Sequence, residues 1–162
     1  MKFRPHAHTL SIIRTVSLAL ALSVAACSSP RERRPVPAVP AIPAHESAED
    51  ALFILHNHQR SFHGAAPLQR DAELSDYARN WAETMARSGS MKHSSLRFVG
   101  SGYSAGAENV AMMQKSPSEV MNAWMQSSGH RKNVLNDRYT HAGFGVAYDE
   151  SGRPYWCAVF GG

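Results

Sequence analysis

Beyond residue 46 the apolar positions fall at helical spacing in three stretches. Ser47 has the character of an N-cap with Asp50 three residues on, and Ala51, Leu55, His58 and Phe62 follow until Gly64. A second helix is predicted from about Asp71, with Leu74, Tyr77, Ala78, Trp81 and Met85 in one stripe and Gly89 as its stop. Ser116-Pro117-Ser118-Glu119 reads as a capping box with proline in the first turn. Val120, Ala123, Trp124 and Ser127 then line the inner face of a third helix that stops at Gly129. After it the period changes. Ala142–Tyr148 and Pro154–Phe160 are rich in strand formers and are joined by Asp149-Glu150-Ser151-Gly152-Arg153, which predicts an antiparallel hairpin. Asn109–Met113 predicts a third short strand. Helices around a small antiparallel sheet, with no alternating βαβ order, make this domain α+β.

The chain ahead of that domain is organised differently. Lys2, Arg4 and Arg14 precede an apolar run, Val16–Ala26, broken only by Ser17 and Ser23. A bilayer span takes roughly 20 apolar residues, so this run is too short to be one. It ends in Val24-Ala25-Ala26-Cys27, and residues 1–26 read as a signal peptide. The last four residues resemble a bacterial lipobox, which implies acylation of Cys27 and a membrane tether. A plain signal peptide with an Ala-x-Ala-like cleavage site is the alternative. Ser28 after the cysteine resembles lipoproteins sorted to the outer membrane, at its periplasmic face or the surface, in a cell that has two membranes. Residues 27–45 carry Pro30, Pro35, Pro37, Pro40 and Pro43, a composition that favours a stiff, extended spacer. The folded domain is therefore expected over residues 46–162.

Charge narrows the partners. Six of the 17 basic residues and one of the 13 acidic residues precede position 46, so the domain itself is near neutral. Nucleic-acid binding needs a basic face that neutralises several phosphates, and none is present. Only two cysteines exist. With Cys27 acylated, Cys157 has no intramolecular partner and reads as a buried small hydrophobe within its strand.

Four separated segments carry the candidate chemistry. They are His56-Asn57-x-x-Arg60 with Gly64 and Pro67-Leu68, then Met91-Lys92-His93-Ser94, Gly106-Ala107-Glu108-Asn109 and Trp124-x-x-Ser127-Ser128-Gly129-His130-Arg131-Lys132-Asn133. In this order and at these intervals they resemble the CAP superfamily of cysteine-rich secretory, antigen 5 and pathogenesis-related 1 proteins, in its bacterial SCP-like branch. The resemblance covers residues 47–162. It implies an α-β-α sandwich with three antiparallel strands between helical layers, and a cleft lined by two histidines and acidic residues. His93 matches the first cleft histidine, Glu108 the acidic residue and His130 the second histidine. Ser127 stands where the family has a second glutamate. Asn57 and Arg60 match residues that tie the first helix to neighbouring backbone. The resemblance also implies an extracytoplasmic, envelope-associated protein with lipid, sterol-like or cell-wall glycan ligands.

The residues are coherent on their own terms. His93 and His130, as neutral imidazoles, can bind zinc or another divalent cation, with Glu108 orienting a ring or a bound water. The same groups can instead hydrogen-bond one another and pin helix to sheet, since buried polar groups need partners in either case. Ser127, His130 and Glu108 imitate a nucleophile, base and orienter, which makes them candidate catalytic residues of a hydrolase. No Gly-x-Ser-x-Gly elbow or His-Glu-x-x-His pair supports that chemistry. Glu119 has a sufficient role in its capping box. His56 and His58 face different sides of their helix, His63 and His141 fall at element ends, and Trp81 and Trp124 sit on core stripes. Three readings follow: a monomeric envelope binding module, which leads, a hydrolase, and a scaffold.

Overall fold

The computed structural model describes residues 46–96 and 102–162, together with Pro40. The leader, Cys27 and the rest of the tether lie outside the described residues. Helix α1 spans Ala48–Phe62, and the Ser47 hydroxyl accepts the Asp50 amide as its cap. A two-residue strand β1, Gln69–Arg70, precedes helix α2, Ala72–Ser88. Asp71 caps α2 at its start, and Gly89 closes it at φ +62°, a left-handed position that glycine adopts without steric cost. Strand β2 is Gly106–Met112 and helix α3 is Pro117–Gln126, capped by Ser116. Helix α4, Ser128–Val134, is followed by strands β3, His141–Tyr148, and β4, Pro154–Gly161.

The strands form one mixed sheet in the order β1-β3-β4-β2. β4 pairs antiparallel with both β2 and β3, as the hairpin and third strand predicted, while β1 adds two parallel pairs to β3. β1 is too short for any periodicity to mark it. The third helix stops at Gln126, short of Gly129, because Ser127 turns to extended backbone (φ −87°, ψ 122°) and Gly129 falls inside the separate α4.

Central β4 is buried at all eight positions, because both its faces are covered. Tyr155, Cys157 and Val159 meet Leu74, Ala78, Ala82 and Met85 of α2. Trp156, Ala158 and Phe160 meet Leu52, Leu55, Val120, Met121 and Trp124 of α1 and α3. α2 lies unusually close to β3. A Cβ on Gly143 would fall 2.1 Å from the Leu74 carbonyl carbon, and one on Gly145 would fall 2.4 Å from the Arg79 amide nitrogen. Small alanines therefore occupy the centre of the helix interface, and Tyr77 and Trp81 are pushed to its partly buried margin. Trp81 is not a core residue of the expected kind: its indole N–H donates to the Lys92 carbonyl at 2.9 Å.

The first motif is a structural clamp. Asn57 holds Leu68 from both sides, donating to its carbonyl at 3.0 Å and accepting its amide at 2.8 Å, which places β1 beside β3. Arg60 is fully buried and donates to the carbonyls of Ala66, Val134, Asn136 and Tyr139 at 2.6–3.2 Å. It thereby satisfies backbone groups at the end of α4 that have no helical partner.

Candidate functional site

β2 is an edge strand, and alternation along it sends successive side chains to opposite faces. Glu108 points with Val110 toward the α2 layer, and Asn109 points toward α4. Although it sits on the edge, the Glu108 side chain is only 1% exposed. One carboxyl oxygen accepts the Ser94 amide at 3.0 Å and meets Nδ1 of His93 at 2.8 Å. The other meets the Cys157 thiol at 3.8 Å. A carboxylate accepts only, so His93 presents its Nδ1–H to Glu108 and turns the Nε2 side of the ring away from it. The His93 side chain is 61% exposed, an accessible imidazole held from behind by a buried anion.

His130 reaches the site from the other face of the edge. Asn109, fully buried, donates to the His130 carbonyl at 3.1 Å and accepts from Asn133 at 2.9 Å. Asn133 also reaches the Glu108 carbonyl at 3.4 Å. These contacts lash α4 to β2 and thereby set where the His130 ring stands. Half-burial, and then the neighbouring His93, hold the His130 imidazole below its ordinary pKa, so it is neutral near pH 7.

The expected set thus assembles in part. His93 and Glu108 are in direct contact, and among the described residues the Glu108 carboxyl makes no hydrogen bond to His130. Ser127 is the joint between α3 and α4; its side chain makes no capping bond, and among the described residues its hydroxyl makes no bond to His130. The Glu108 carboxyl is met by His93, Ser94 and Cys157, and no hydrogen bond among the described residues links it to His130. Glu119 occupies its predicted capping role, with its carboxylate accepting the Lys115 amide at 2.8 Å. For a metal, no group of three or more His, Cys, Asp or Glu residues among the described ones is placed around a single point. His93 and His130 can supply two imidazoles, with Glu108 behind as the orienting carboxylate and the remaining positions left to water or ligand.

Cys157 and Asn133 are the functional neighbours that the sequence reading left without a role at the site. Cys157 is buried, and burial followed by the Glu108 charge pushes its thiol well above its ordinary pKa, so it is a donor and not a nucleophile. Strand alternation could have aligned it with Glu108 only if the β2–β4 register had been known. Two hollows lie elsewhere. One of about 340 Å³ involves Glu49, Arg70 and Arg79, and one of about 700 Å³ lies between the end of α2 and the β3–β4 turn. The histidine site lies outside both and is an open polar edge.

Comparison with known proteins agrees with this architecture. The model of the cysteine-rich secretory protein family, CAP, matches residues 53–160. The uncharacterized protein YkwD of Bacillus subtilis is 40% identical over 113 residues, covering 64% of this chain and 43% of its own length. The chain therefore spans less than half of that relative. A solved extracellular protein containing an SCP domain from Bacillus anthracis superposes with a TM-score of 0.60 at 25% identity, over 70% of this chain and 40% of that one. An outer surface protein from Borrelia burgdorferi superposes with a TM-score of 0.62 at 18% identity, over 68% of this chain and 88% of that one, a likeness of fold alone. No helix among the described residues is long and apolar enough to cross a membrane.

Proposed function

The chain belongs to the cysteine-rich secretory protein (CAP) family, and from that premise we propose that it is a lipid-anchored envelope domain that binds ligand at the His93–Glu108–His130 edge. The observation that carries the reading is the buried Glu108 carboxyl holding an exposed imidazole. Burying a carboxylate is costly unless several donors meet it, and here three donors do. A purely structural pin would gain nothing from leaving His93 facing solvent. The His93 imidazole held by that carboxyl and the His130 imidazole on α4 are electron-pair donors that suit a divalent cation or a hydroxyl-rich ligand.

The polar groups at this edge, the His93 imidazole and the Glu108 carboxyl behind it, favour a cell-wall glycan or a cation over an apolar ligand. Binding also accounts for the chemistry better than hydrolysis does, because among the described residues Ser127 makes no hydrogen bond to a base. Anchoring through Cys27 would keep the domain beside an immobile, repeating ligand, where modest affinity suffices. Calorimetric titration of the mature protein with zinc and with soluble peptidoglycan fragments is the test. Saturable binding that disappears in the His93→Ala/His130→Ala double variant is expected. Identical titrations for the double variant and the parent would sink the proposal.

A further inference from the structure

Three large apolar side chains are exposed among the described residues: Met91 at 47%, Met113 at 60% and Tyr148 at 60%. They are not scattered. Tyr148 closes β3 directly opposite Pro154, the first residue of β4, and the Met113 amide donates to the Pro154 carbonyl at 3.0 Å. Tyr148, Pro154 and Met113 therefore form one row across three adjacent strands, about 10 Å from first to last at the usual strand spacing. Met113 holds a left-handed backbone at φ +80°, an unfavourable state for a residue with a side chain. The last turn of α2 shares the larger hollow with Tyr148, and Met91 follows two residues after the glycine that ends that helix.

The tether joins the domain at this same end. Phe53, in the first half of α1, packs edge-on against Phe144 of β3, with ring centroids 6.2 Å apart. Arg60, in the last turn, binds the carbonyls of Val134, Asn136 and Tyr139 ahead of β3. α1 thus runs antiparallel to β3, and Ser47 stands where β3 finishes.

We infer that this end of the domain is its bilayer-facing surface, with Tyr148, Met113 and Met91 entering the lipid interface beside the point where the tether meets the domain. The inference rests on the proposed acylation of Cys27. Tyrosine suits the interface because its ring is apolar and its hydroxyl stays wet. Arg87, Lys115 and the Arg153–Asp149 pair flank the row, offset by Glu83 and Glu150, so contact is by apolar insertion and not by charge. Three side chains make a weak patch for a free protein. On a proline-rich spacer from Cys27 to Ser47, the domain stays within about 60 Å of the membrane at ~3.1 Å per residue, and weak docking becomes intramolecular.

The acylated full chain in phosphatidylcholine vesicles tests this, with one nitroxide label placed by Met113→Cys, by Tyr148→Cys, or by Asp137→Cys at the opposite end. Cys157 is buried and does not compete for the label. Labels at 113 and 148 are expected to lose collisions with a water-soluble nickel chelate and gain collisions with oxygen, while the label at 137 stays aqueous. Mass spectrometry of Cys27 separates the two ways of failing. An unmodified Cys27 overturns the anchor and this inference together. An acylated chain whose labels at 113 and 148 are as water-accessible as that at 137 overturns the inference alone.

Discussion

Glu108 concentrates the chemistry of this domain in one side chain. Its two oxygens serve His93, Ser94 and Cys157, so any change there is felt on both sides of the strand. Glu108→Gln replaces one acceptor oxygen by an NH₂ group facing donors. We expect a loss of about 1–3 kcal/mol in chemical denaturation, the usual result of leaving buried polar groups mismatched. Imidazole ligands released from their orienting carboxylate lose metal affinity about 10–100-fold, so zinc titration of this variant should show a drop of that order. Ser127→Ala, by contrast, removes a hydroxyl that caps nothing. Its melting temperature and glycan binding should match the parent, and loss of any hydrolytic activity in this variant would revive the catalytic reading.

At the scale of elements, the α2–β3 contact is the most demanding. Gly143→Ala would place a methyl 2.1 Å from the backbone of Leu74, and Gly145→Ala one 2.4 Å from the Arg79 amide nitrogen. Backbone cannot step aside as a flexible side chain can. Each substitution should therefore cost at least about 3 kcal/mol or prevent folding, as judged by urea unfolding. Gly129→Ala is the contrast. That glycine lies in α4 with open space at its Cβ, and alanine there should add about 0.5–1 kcal/mol from helix propensity. The same elements show what was legible beforehand. The three capped helices and the β3–β4 hairpin announce themselves through Ser47, Asp71, Ser116 and the two apolar runs. β1 and α4 do not, because a two-residue strand and a seven-residue helix with a single apolar side chain, Val134, have no readable period.

The whole molecule carries an acid-sensitive core. His56 is fully buried between α1, α3 and the sheet, its ring 4.6 Å from Phe144, 5.6 Å from Trp124 and 5.7 Å from Phe160. Its Nδ1 donates to the Leu52 carbonyl at 2.7 Å, and Nε2 is buried without a partner. Burial lowers its pKa from 6.5 to about 4, so it stays neutral in the fold while the unfolded chain takes up a proton first. The unfolded state binds more protons between about pH 6.5 and pH 4, and stability must fall as pH falls through that window, by about 3 kcal/mol in all. A His56→Phe variant should flatten this part of the stability-against-pH curve, read by urea midpoints at pH 7 and pH 4.5; an unchanged slope would assign the acid sensitivity to another group.

Patterning alone settled the kinds of element and their caps, and with them the α+β class, because capping and amphipathic spacing are local physics written residue by residue. The four motifs, by resemblance, also pointed to His93, Glu108 and His130. Register and layer packing belong to the tertiary structure. The β2–β4 register puts Cys157 behind Glu108, and Asn109 and Asn133 fix α4 against the strand. The competition of three donors for one carboxyl makes His93, not His130, its partner. Contacts between residues 15 and 49 positions apart leave no trace in a local period. The contacts that join Glu108 to His93 and Cys157 were therefore decided only by the tertiary fold.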